Sequence, residues 1–97
     1  MALTGKQRQF LRGLAHALEP VVRVGRAGAS PSVIEETKRS LNAHELIKVR
    51  IDNDDSTQRK ALAEELAKAC EAEVAGTIGK LAILYRPREE DPEIELP

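Results

Sequence analysis

Leu46-Ile47-Lys48-Val49-Arg50-Ile51 places β-branched residues at every second position, 47, 49 and 51. A period of two over six residues belongs to a strand with one buried face. Leu46, Lys48 and Arg50 share the other face, which ends in two cations. The windows on either side carry apolar residues at helical spacing instead. A half-buried strand flanked by helices must find other strands in the chain, so the sequence points to a sheet covered by helices.

Three helices are predicted. Thr4-Gly5-Lys6-Gln7 has the capping-box form, and Phe10, Leu11, Leu14, Ala15 and Leu18 come after it at helical spacing. The first helix therefore covers about 5–18, with Pro20 as its stop and Lys6, Arg8 and Arg12 on other faces. Ser30-Pro31 is a strong start for a second helix over about 31–43: serine caps, and proline suits the first helical position. Ile34 and Leu41 mark its inner side. Asn53-Asp54-Asp55-Ser56 offers caps for a third helix over about 56–71, with Leu62, Leu66, Ala69 and Cys70 inward and a mixed-charge outer face.

Val21–Val24 reads as a first strand. Residues 73–78 and 81–86 read as a hairpin around Gly79-Lys80, a pair suited to a type II′ turn. The order is α-β-α-β-α-β-β, an α/β (α+β) arrangement in one compact domain over 1–87. Helical crossovers imply parallel pairing or a mixed sheet, and the hairpin adds an antiparallel pair. From Pro87 the chain turns acidic, so 88–97 is expected to be a mobile tail.

Composition narrows the function classes. Ninety-seven residues with 41% hydrophobic and 32% charged side chains suit a soluble domain. No apolar run approaches the roughly 20 residues of a membrane span, and the N-terminus lacks a secretory pattern, so a cytoplasmic location is expected. A single cysteine offers neither an internal disulfide nor a multi-thiolate metal site. His16 and His44 stand outside any metal or triad motif, and Cys70 lies on an apolar stripe. No catalytic residue, metal site, cofactor or small-molecule substrate is expected.

Net charge is −1, but it is unevenly spread. Residues 1–50 carry nine Lys/Arg against four Glu, and residues 51–97 carry six against twelve acids. Such asymmetry fits a surface for a polyanion. Within the basic half, Gly25-Arg26-Ala27-Gly28 joins the first strand to the Ser30-Pro31 helix start. Glycines let another backbone approach closely, and a helix start offers free N–H groups to an anion. Arg26 adds a bidentate donor. The same four residues are also consistent with a plain tight turn. Lys6, Arg8, Arg12, Arg23, Lys48 and Arg50 are candidate neighbours. With only Phe10 and Tyr85 as aromatics, a base-stacking platform is not available, so binding would rest on phosphate and shape.

The stretches "LTGKQRQFLRGLAHALEPVVRVGRAG" (3–28), "HELIKVRI" (44–51) and "IGKLAILYRP" (78–87) resemble the CRM domain family (chloroplast RNA splicing and ribosome maturation), in particular its stand-alone bacterial YhbY-type members. The resemblance implies a four-stranded mixed sheet with three helices, similar to the C-terminal domain of translation initiation factor 3. It implies an RNA-binding protein that associates with precursors of the large ribosomal subunit and assists their maturation. It assigns RNA contact to Gly25, Arg26, Ala27 and Gly28, with Lys6, Arg12, Lys48 and Arg50 as the supporting basic surface; Arg23, beside the loop in the sequence, joins the RNA-binding candidates. A monomer associated with the ribosome is the expected state. The overall acidity is a departure, and the tail could compete for the basic face. Two other classes remain open on the residues alone: a protein-interaction adaptor using the third helix, and a small phosphate-handling enzyme.

Overall fold

The computed structural model describes residues 2–97, and in it the order of elements is the expected one: α1 (Gly5–Ala15), β1 (Pro20–Val24), α2 (Pro31–His44), β2 (Leu46–Ile51), α3 (Ser56–Ala69), β3 (Glu73–Ile78) and β4 (Leu81–Tyr85). The strands form one mixed sheet in the order β1-β2-β4-β3. β1 runs parallel to β2, and β4 is antiparallel to both its neighbours.

Two apolar layers sandwich the sheet. On one face, Val22, Val24, Ile47, Val49, Ile51 and Leu84 pack under Leu41 of α2 and Leu66 and Cys70 of α3. On the other, Leu46, Ala75, Ile83 and Tyr85 pack under Leu3, Leu11 and Ala15 of the α1 segment, with Ile94 and Leu96 from the tail. β4 lies between two strands and under both layers, so its residues 82–85 are all buried. The alternation of β2 sends its β-branched residues to the α2/α3 layer and Leu46 to the other. No helix among the described residues is long and apolar enough to cross a membrane.

Local chemistry sets the boundaries. Thr4 and Gln7 close the capping box on α1. Ser30 Oγ accepts the Val33 amide and Pro31 opens α2. Asp55 caps α3 through the amides of Thr57 and Gln58. Gly79 has φ +56 and Lys80 does not share it, as a type II′ turn requires.

Several expectations shift. α1 ends at Ala15, not near Leu18, because the chain needs the intervening residues to turn into β1. Pro20, read as a stop, is the first residue of β1; the strand is at the sheet edge, where a missing N–H is tolerated. The buried stripe of α1 is Leu11 and Ala15, while Phe10, Leu14 and Leu18 stay 39%, 43% and 37% exposed. In α3 the inner stripe is Ala63, Leu66, Ala67 and Cys70, with Leu62 partly covered and Ala69 exposed.

The segment expected as a mobile tail is seated on the domain. Glu45, fully buried at the α2–β2 junction with φ +61, accepts the backbone amides of Arg88 (2.8 Å), Glu93 (2.7 Å) and Ile94 (3.2 Å). Burial by itself pushes this carboxyl up. The three N–H donors and the Arg88 charge outweigh it and hold Glu45 below the ordinary carboxylate value. Arg88 pairs in turn with Glu93 at 3.0 Å, and Gln7 donates to the Pro97 carbonyl at 3.3 Å.

Candidate nucleic-acid interface

Parallel β1 and β2 end side by side, and the two loops leaving their C-terminal ends form the site. Gly25–Gly28 makes a turn closed by the Gly28 amide on the Gly25 carbonyl at 3.1 Å. Gly28 takes φ +65, and a Cβ there would sit 3.3 Å from Leu62 of α3. Gly25 has negative φ and open space around its Cα. The amides of Arg26 and Ala27 make no hydrogen bond among the described residues, and both side chains are exposed. The turn therefore presents N–H groups and a cation next to the capped start of α2.

The floor beside it is tied together by hydrogen bonds. Asn53 holds the Asp55 amide at 2.8 Å and the Gln58 side chain at 2.9 Å. Arg59 ties the Asn53 carbonyl (2.7 Å) to the Gly79 carbonyl (3.0 Å). A cleft of about 600 Å³ lies between the glycine turn and α3, with Asp52, Gln58 and Glu65 on its walls.

Arg23 and Arg50 stand opposite each other in the β1–β2 register. Both donate Nε to Asp52, Arg50 at 2.9 Å and Arg23 more closely. The hydrogen bond from Arg23, then that from Arg50, lowers the Asp52 carboxyl below its ordinary value. Arg23 remains 73% exposed and Arg50 47%, so both side chains stay open to solvent. With Arg26, the cluster carries a net surplus of two positive charges.

Sequence reasoning overlooked Asp52. It sits two residues beyond Arg50, hence on the same strand face, and that parity was the available signal.

The other expected cations are elsewhere. Lys48 shares the strand face of Arg50, but its ammonium donates to the carbonyls of His16 (3.4 Å) and Leu18 (3.0 Å), capping the end of α1. Arg12 lies over β3, at the sheet edge opposite β1. Its guanidinium reaches the Ala75 carbonyl at 3.2 Å, and its stem fills the space above Gly76, where a Cβ would meet Arg12 Cδ at 2.6 Å. Lys6 opens α1 beside Phe10 and Pro97 and shares no cleft with the glycine turn. Thus Gly25–Gly28, Arg23 and Arg50 come together, while Lys6, Arg12 and Lys48 do not join them.

The remaining singled-out groups have structural surroundings. His16 caps α1 and His44 ends α2. The Cys70 thiol is buried at the end of α3, 3.8 Å from the Ile34 carbonyl, and burial raises its pKa. Tyr85 is buried, with burial and then the Glu45 charge raising its hydroxyl pKa. Among the described residues no group of three or more His, Cys, Asp or Glu is placed to hold a metal ion.

Comparison with known proteins gives a consistent picture. Residues 3–86 match the family model for the CRS1 / YhbY (CRM) domain. A Haemophilus influenzae protein named "RNA-binding protein" is 42% identical over 95 residues, covering 98% of this chain and 95% of its own. "Probable RNA-binding protein YqeI" of Bacillus subtilis is 39% identical over 98% of this chain and 99% of its own. The solution structure of SAV1595 from Staphylococcus aureus superposes with a TM-score of 0.89 at 38% identity, covering 99% of this chain and all of that one. With the fold and nearly the whole length in agreement, the chain belongs to the CRS1/YhbY (CRM) domain family.

Proposed function

We propose that the protein binds RNA through its phosphate backbone at the paired ends of β1 and β2, as a binding module and not a catalyst. The observation that carries this reading is the turn at Arg26-Ala27: free amides and an exposed arginine, flanked by Arg23 and Arg50, which Asp52 holds side by side. Free N–H groups and guanidinium forks match phosphate oxygens. The exposed ring Phe10 is on α1 and Tyr85 is buried, so no stacking surface adjoins the turn, and recognition of shape and phosphate is the mode left. The names of the relatives support RNA as the ligand. From the family we infer further that the RNA is that of large-subunit ribosomal precursors, with the protein acting as a monomer in their maturation.

The test is a salt titration with a large-subunit ribosomal RNA fragment. With about three phosphate contacts, log affinity falls with log salt at a slope near −2 to −3. Arg26→Glu lowers affinity about tenfold or more and flattens the slope by about one. Affinity indifferent to both salt and this substitution rules the turn out. Co-sedimentation with free large-subunit precursors, and not with mature ribosomes, checks the maturation role; an equal distribution contradicts it.

A further inference from the structure

Among the described residues, four of the five large apolar side chains left exposed are Phe10, Leu14, Leu18 and Val21, which succeed one another along α1 and into β1. Scattered single apolar residues need no explanation, whereas a contiguous strip does. A cleft of about 370 Å³ opens along Leu14, Leu18 and Val21, and Ile94 of the seated tail forms its far wall. A shallower extension runs past Phe10 to Pro97. The cleft lies at the starts of β1 and β2, on the α1 face, whereas the glycine turn lies at their ends.

The walls decide the occupant. The charged groups lining the main cleft are Glu19 and Glu93, with His44 the only other titratable side chain there. Glu93 is 77% exposed despite its pairing with Arg88. Lys48, the nearest cation on the strand face, is already bonded to the end of α1, and Lys6 stands only at the outer extension. The same tail carries further exposed acids, Asp91 and Glu95, while Glu89 and Glu90 line a separate cleft with Arg86 and Arg88. An acidic, apolar cleft repels a nucleic acid. A second copy of the chain would bring the same two glutamates face to face. The outer face of α3, by contrast, is mostly charged and polar, exposes only the small apolar side chains Ala61 and Ala69, and carries no large exposed apolar side chain.

We propose that this cleft docks a basic, amphipathic segment of a partner protein, its apolar side chains entering between Leu14, Leu18, Val21 and Ile94 and its Lys/Arg residues meeting Glu19 and the tail acids. The protein then joins an RNA at one end of the sheet to a basic protein at the other. Charge complementarity supplies the selectivity, and the helix-in-groove mode supplies the fit.

Fluorescence anisotropy with two synthetic amphipathic peptides of about 16 residues tests it. They share leucines at helical spacing and differ only in flanking lysines or glutamates. The expected result is at least about tenfold tighter binding of the lysine peptide, lost in Leu14→Ser/Leu18→Ser and weakened in Glu19→Lys. Glu19 is exposed, so its variant keeps the test valid if the leucine pair unfolds. RNA affinity of both variants stays at the wild-type value, which separates this site from the glycine turn. Equal binding of the two peptides, or binding unaffected by all these substitutions, overturns the proposal. So does a wild-type dimer in sedimentation that Leu14→Ser/Leu18→Ser dissolves, because the occupant would then be a second copy.

Discussion

The two glycines of the Gly25–Gly28 turn have different reasons to be glycine. Gly28 needs its φ of +65, where a side chain costs about 1–2 kcal/mol, and its Cα faces Leu62 at a distance that leaves little room for a methyl. Gly25 has neither constraint. Gly28→Ala should therefore lower the denaturant midpoint by the equivalent of about 1–2 kcal/mol, while Gly25→Ala leaves it unchanged. If RNA packs against bare backbone, Gly25→Ala still weakens RNA binding, and the pair of measurements separates loop shape from ligand proximity. The Gly-X-X-Gly spacing was legible in the sequence; which glycine carried the conformational demand was not, because φ depends on where α3 ends up. The same limit explains Arg12 and Lys48. Their charge was readable, but whether a carbonyl from another element would claim it depended on β3 and on where α1 stops.

Among the elements, the clearest case is the tail, which composition marked as mobile. Its five acids argue for solvation, yet Ile94, Leu96 and three backbone amides seat it, with further bonds from Arg88 and to Pro97, and the acceptor for those amides is a single glutamate more than forty residues away. No local pattern encodes such a contact. Helix starts, by contrast, were set by adjacent residues: Thr4 and Ser30 read directly, as did β2, while Asp55 was one of four candidate caps for α3. Glu45→Gln replaces a charged acceptor of three N–H donors, so it should cost about 2 kcal/mol and speed hydrogen exchange at Glu93 and Ile94. The lowered pKa sets the pH dependence. The carboxylate's contribution is fully present above its unfolded value, ordinarily 4.5, and is lost as pH falls through the lower folded value. The tail should stay protected at pH 5 and be released only in stronger acid; exchange rates that rise already between pH 6 and 5 would contradict this.

Over the whole molecule, sequence asymmetry becomes spatial separation. The glycine turn succeeds β1 and adjoins the end of β2, whereas the tail is anchored at Glu45, just before β2 begins. Six residues of strand place the two roughly 17 Å apart, about twice the Debye length of ~8 Å at physiological salt. At that separation, competition between the tail acids and the basic turn should be screened. Neutralising the exposed acids (Glu89→Gln, Glu90→Gln, Asp91→Asn) should change RNA affinity less than about twofold at 0.15 M salt, but tighten it severalfold near 0.01 M, where the Debye length reaches ~30 Å. A large effect at 0.15 M would mean the acids reach the turn. The element order, the sheet class and the basic turn were all legible from the sequence, because periodicity and punctuation are local; the layering of α1 and the tail against one face was not. The sole cysteine of the chain, Cys70, is buried beneath α2 at the end of α3 and has no disulfide partner. A thiol reagent can reach it only when the α2–α3 layer lifts from the sheet. The unmodified protein thus carries its own opening clock: its alkylation rate, with and without RNA, reports whether occupying the turn at the start of α2 tightens the layer behind it.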